Sequence, residues 1–96
     1  MKIAEFQDLI RRTYHERDVK RGLDKDFLWL TEEVWELAEA VRERDRAKIV
    51  EEAADVLAWL CTVASISGVD VQEAALKKYG KGCPRCGAIP CGCPGP

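Results

Sequence analysis

Two stretches of the chain carry acids at matched spacing. "TEEVWELAEAV" holds Glu32, Glu33 and Glu36, and "VEEAADVLAWL" holds Glu51, Glu52 and Asp55. Each places a third carboxylate three residues after the second glutamate, among aliphatic residues. Side chains three apart share one side of a helix. Carboxylate oxygens gathered that way suit a hard divalent cation such as Mg²⁺. A different ligand set closes the sequence. Cys83, Cys86, Cys91 and Cys93 put four thiols into "CPRCGAIPCGC", and four thiolates suit tetrahedral Zn²⁺.

The acids need helices to aim them, and the apolar spacing predicts four. The first covers residues 3–17, with Ile3, Phe6, Leu9, Ile10 and Thr13 at helical intervals. "RDVKRGLDKD" reads as a charged loop broken by Gly22. The second helix covers 26–44, capped by Asp24 or Asp26. The third covers 46–67, capped by Asp45 and ended at Ser67-Gly68. The fourth starts at Asp70, with Glu73 in capping-box position, and ends near Tyr79-Gly80. No strand pattern competes. The expected fold is an all-α four-helix bundle over residues 1–80, followed by a cysteine-rich tail over 81–96.

In the second helix, Leu30, Val34, Leu37 and Val41 form one apolar stripe. Glu33 falls about 70° to one side of it, and Glu36 a further ~60° round. The third helix repeats this with Ile49, Ala53, Val56 and Leu60 as the stripe, Glu52 and Asp55 as the flanking acids, and Trp59 between them. Two helices joined by a short turn pack antiparallel. If the stripes meet, the four carboxylates converge on one rim, where like charges repel and lose hydration. Spacing alone leaves two readings open: a solvated acidic face or a divalent-metal site.

Length and charge narrow the classes. A chain of 96 residues makes one small domain, with a thin stability margin that metals or subunit association commonly reinforce. Net charge of −2 without a basic stripe gives no nucleic-acid footprint. No apolar run approaches the roughly 20 residues that span a bilayer. "MKIAEFQDLIRR" meets charge too early for a signal-peptide core, so the expected location is cytoplasmic. Thiols are normally reduced there, which favours metal ligands over disulfides. The tail is expected to hold structural Zn²⁺, with disulfides, an iron–sulfur centre or an empty tail as alternatives. Cys61, among apolar residues, reads as a buried inert thiol.

"FLWLTEEVWELAEAV…IVEEAADVLAWLCTVASISGVDVQEA" resembles the MazG-like, all-α nucleotide pyrophosphohydrolases. Their signature, EExxE followed by ExxD, is matched by Glu32-Glu33-x-x-Glu36 and Glu52-x-x-Asp55. The resemblance implies cleavage of nucleoside triphosphates to the monophosphate and pyrophosphate. It implies Glu33, Glu36, Glu52 and Asp55 as Mg²⁺ ligands. Glu32 matches an acid that holds a further ion or orients the attacking water. Lys78, with its neighbour Lys77, matches a phosphate-binding cation. Trp35 replaces a small residue often found between the motif acids. "EEAAD" is also similar to phosphoribosyl-ATP pyrophosphatase, an alternative with the same metal chemistry. The alternative from another class is a non-catalytic zinc-knuckle adaptor.

Trp29 and Trp59 flank the acids on one arc and are candidates for stacking on a base, against packing in a core or interface. His15 reads as a surface residue, and Gln7 as a weak candidate for contact with the base. Trp35, Trp59 and Leu28 fall off the main stripes. They point to a homodimer or a dimer of dimers.

Overall fold

The computed structural model describes all residues from Met1 to Pro96. It contains four helices and no strand: α1 (Ile3–Arg21), α2 (Leu23–Arg42), α3 (Arg46–Ile66) and α4 (Val71–Tyr79). The all-α expectation holds, and three boundaries move.

The expected loop after residue 17 is helix. Helix α1 runs to Arg21, and α2 begins at Leu23, so Gly22 alone joins them. Its φ of 97° lies where L side chains are strained. The charges around it belong to helix ends. Lys20 and Arg21 sit in the last turn of α1, and Asp24 and Asp26 in the first turn of α2. Each sign faces the end of the helix dipole that favours it. Gly22, not an aspartate, occupies the cap position of α2. The second helix also ends two residues early, at Arg42, in a turn where Arg44 takes a φ of 56°.

The other caps form as the sequence predicts. Asp45 accepts from the Lys48 N–H at 3.2 Å and opens α3. Asp70 accepts from the Glu73 N–H at 2.8 Å and opens α4, which turns 98° away from α3. No single helix is long and apolar enough to cross a membrane.

Helices α2 and α3 make the closest pairing, with α1 against α3 and α4 against α1. Their seam is not the pair of aliphatic stripes. Leu30, Glu33, Leu37 and Ala40 turn inward on α2, and Ile49, Glu52, Val56 and Trp59 on α3. Both helices are therefore rotated about 50° toward their acids. The small Ala40 sits buried in this seam. Val34, Val41 and Leu60 of the expected stripes remain exposed, at 48%, 43% and 40%.

Helix α1 docks through polar clamps. Thr62 Oγ1 donates to Asp18 Oδ2 at 2.8 Å, in a buried contact. The Gln7 amide donates to Ser65 Oγ (3.0 Å) and the Val69 carbonyl (2.8 Å), and its Oε1 accepts from the Val71 N–H (2.8 Å). Gln7 thus joins α1, α3 and α4 and has no free amide for a base. Only seven residues are buried, and the apolar ones are Ala40, Cys61 and Ala64. A core this small leaves most of the large apolar surface of α2 and α3 without a partner inside one chain.

Candidate metal and nucleotide site

The rotation of α2 and α3 draws Glu33 and Glu52 into the seam and leaves Glu36 exposed beside them. Glu33, Glu36 and Glu52 each offer a carboxylate oxygen within 4.8 Å of the others. Glu33 and Glu52 are half-buried, and the Oε2 atom of each is shielded from solvent without a hydrogen-bond donor. As two carboxylates they are acceptors only and cannot satisfy one another.

A proton shared between them would relieve this. Burial, a hydrogen bond with Glu52, and the charges of Glu36, Asp55 and Glu52 push Glu33 up to about 7. The hydrogen bond with Glu33 pulls Glu52 down. Burial, Glu36 and the charge of Asp55 outweigh it, so Glu52 also moves above its usual value. A divalent cation would satisfy the same oxygens without the proton. An octahedral Mg²⁺ at ~2.1 Å sets ligand oxygens about 3 to 4.2 Å apart, so the spread of this group needs little closing. The donors are hard oxygens from two rigid helices, and they fit such an ion.

Asp55 lies outside the three-residue group, but its charge acts on both Glu33 and Glu52. It lines a cleft between α1 and α3 with Tyr14, Arg17, Arg21, Trp59 and Thr62. At about 250 Å³ this cleft is smaller than the roughly 300–1,000 Å³ of sites that enclose a small molecule. Glu32 and Glu51 are exposed and are not among the three grouped carboxylates.

Trp29 and Trp59 meet each other, with ring centroids 6.1 Å apart and planes at 18°. Arg21 holds the pair from above. Its guanidinium carbon lies 5.1 Å from the Trp59 ring centroid, and its Nη1 donates to Asp18 (2.9 Å) and to the fully buried Asp26 (2.7 Å). Both aspartates raise the Arg21 pKa. One side chain thereby links α1, α2 and the aromatic ring of α3.

The lysines lie elsewhere in the chain. Lys78 Nζ sits 5.6 Å from the Tyr79 ring centroid, and Lys77 lines a surface hollow with Asp70 and Glu73. Helix α3 runs ~18 Å from Asp55 to Ser67 before α4 turns off. Within one chain, neither lysine joins the carboxylates.

Sequence reasoning missed Arg17, Arg21 and Tyr14. The signal was present: Ile10, Tyr14, Arg17 and Arg21 continue the helical spacing of α1 into the segment read as a loop. His15 is exposed and Cys61 is fully buried, as expected. Burial raises the Cys61 thiol pKa.

The four tail cysteines also gather, with one sulfur from each within 4.8 Å of the rest. The Gly92 and Ala88 backbone N–H groups draw the Cys86 thiol down to about 6.

Two comparisons bear on this arrangement. No curated protein matches the chain. A family model described as the MazG nucleotide pyrophosphohydrolase domain matches residues 23–87. The match takes in both acid motifs and the first cysteine pair, and it begins where α2 begins.

Proposed function

The chain belongs to the MazG nucleotide pyrophosphohydrolase family, and we propose that it is a Mg²⁺-dependent enzyme cleaving ribo- or deoxynucleoside triphosphates to the monophosphate and pyrophosphate. The observation that carries this reading is the donor-less oxygen pair of Glu33 and Glu52, with Glu36 beside it. Surface glutamates that merely solvate a helix do not bury acceptor atoms against each other.

In this reading Glu33, Glu36, Glu52 and Asp55 hold the ion. Held there, Mg²⁺ would neutralise polyphosphate charge and lower the pKa of a water on it. Glu32, exposed beside the cluster, accepts a proton from the attacking water. Water adds at phosphorus, the bond between the α- and β-phosphates breaks, and pyrophosphate leaves. The Trp29–Trp59 pair presents an aromatic face for a base, and stacking of that kind tolerates any base. Arg17 in the cleft offers a cation to phosphate. Lys77 and Lys78 take that role only if a second copy brings its α4 to the site.

A homodimer or dimer of dimers follows from the bare apolar face. Phe27, Val34 and Val41 of α2 and Leu57 and Leu60 of α3 are exposed. By helical phase they lie on one side of the hairpin, opposite the acids. A second copy covers that face without touching the carboxylates. A nucleotide hydrolase of this kind would clear damaged or surplus nucleotides in the cytoplasm.

Product analysis on a panel of nucleoside triphosphates with Mg²⁺ tests the proposal. Monophosphate and pyrophosphate in equal amounts are expected. Diphosphate with orthophosphate would contradict it. Turnover of phosphoribosyl-ATP alone would favour the related pyrophosphatase, and no turnover at all would favour the non-catalytic adaptor.

A further inference from the structure

We propose that Cys83, Cys86, Cys91 and Cys93 form a closed four-thiolate site for one Zn²⁺ ion, and that this ion organises residues 81–96. The inference is independent of the nucleotide reading. All four thiols are free. Cys83 and Cys91 sulfurs are 3.5 Å apart, Cys83 and Cys93 3.8 Å, and Cys86 and Cys91 4.0 Å. A tetrahedron with Zn–S of ~2.3 Å sets its sulfurs about 3.8 Å apart. Bonded sulfurs would lie ~2 Å apart. A multi-iron cluster would spread its thiolates over separate irons, whereas these three spacings match one mononuclear centre.

The backbone is shaped to deliver the sulfurs. The Gly87 N–H donates to the Cys83 carbonyl at 2.7 Å, and the Cys83 N–H to the Ala88 carbonyl at 3.2 Å, closing the first turn. The Gly92 N–H donates to Cys86 Sγ (3.4 Å) and the Cys93 N–H to Cys91 Sγ (3.3 Å). Amide donors on sulfur stabilise thiolate ligands and fix their direction. Gly82, at φ 110°, lets the chain fold back. A Cβ there would stand 2.6 Å from Ile89 Cγ1.

Beyond these turn hydrogen bonds the tail has no core to hold it. It has no helix or strand, and none of its residues is fully buried. Metal binding in such a segment is folding free energy. Four sulfurs leave no open position, so the ion is structural.

Elemental analysis of the full chain, purified under reducing conditions without added metal, should give one zinc per chain. After zinc removal, Co²⁺ should bind at one equivalent, with the visible bands of a tetrahedral tetrathiolate. Cys86→Ser should weaken Co²⁺ binding by at least about 10-fold, with the helical circular dichroism unchanged. Glu36→Gln should leave zinc content at one. Stoichiometric iron, four thiols without metal, disulfides in the reduced preparation, or unchanged Co²⁺ binding by Cys86→Ser would each overturn the proposal. If that variant fails to fold, the Co²⁺ spectrum of the unaltered chain decides.

Discussion

The acid cluster and the cysteine cluster each gather anionic ligands within 4.8 Å, and they do so in opposite ways. Glu33 and Glu36 come from α2 and Glu52 from α3, so the register of two long helices positions them. Part of the group is buried, and two of its oxygens have no donor. The cysteines come from one short exposed segment that only turns define. In the first region the fold itself gathers the carboxylates and bears their repulsion. In the second, a metal would make the fold. Losing the ion should therefore leave the helices standing but loosen the tail.

The largest expected effect sharpens the hard-ligand side. Glu36→Gln and Asp55→Asn keep size and remove charge. Pyrophosphate release should fall by about 100-fold or more, while circular dichroism and zinc content stay unchanged.

Arg21 tests what positions the cleft. Arg21→Gln would leave the fully buried Asp26 side chain without its cation. Breaking such a pair costs about 3 kcal/mol, which thermal unfolding should detect. Weaker substrate binding should accompany it as the Trp59 ring loses its cation.

Association comes next. Val34→Glu combined with Leu60→Glu puts charge on the bare apolar face. Light scattering at micromolar concentration should then shift from dimer or tetramer to monomer. A monomeric unaltered chain would remove the partner copy from the account.

The pH dependence is smaller and separates the two regions. Glu33 titrates near 7 when folded, against an ordinary value of 4.5, so the folded chain favours its protonated form. The resulting stability is fully present below about pH 4.5 and is lost as pH rises through about 7. Melting temperatures of the Mg²⁺-free protein should fall across that window, and added Mg²⁺ should flatten the fall. Cys86→Ser should have the smallest effect on turnover, under about 3-fold, because the site proposed for its sulfur is structural.

The helices were legible because apolar spacing and caps such as Asp45 and Asp70 are local signals. The α1–α2 joint was not. Its cluster of charges looks like a loop, yet helix ends collect the same charges through their dipoles, and only Gly22 leaves the helical path. The acid motifs were legible as chemistry but not in their depth. A single-chain wheel assigns the apolar stripe to the nearest helix, whereas here Val34 and Leu60 face outward and Glu33 and Glu52 face inward. Arg17 and Arg21 were lost with the misread joint. The gathering of the four tail cysteines was readable from spacing alone because they are neighbours in sequence.

The contrast between the two regions is tested most directly by measuring Mg²⁺-dependent pyrophosphate release for the unaltered chain, Glu36→Gln and Cys86→Ser side by side. The account predicts robust release by the unaltered chain, near-complete loss in Glu36→Gln, and turnover largely kept in Cys86→Ser. Activity surviving in Glu36→Gln, or abolished in Cys86→Ser with the helices intact, would contradict it.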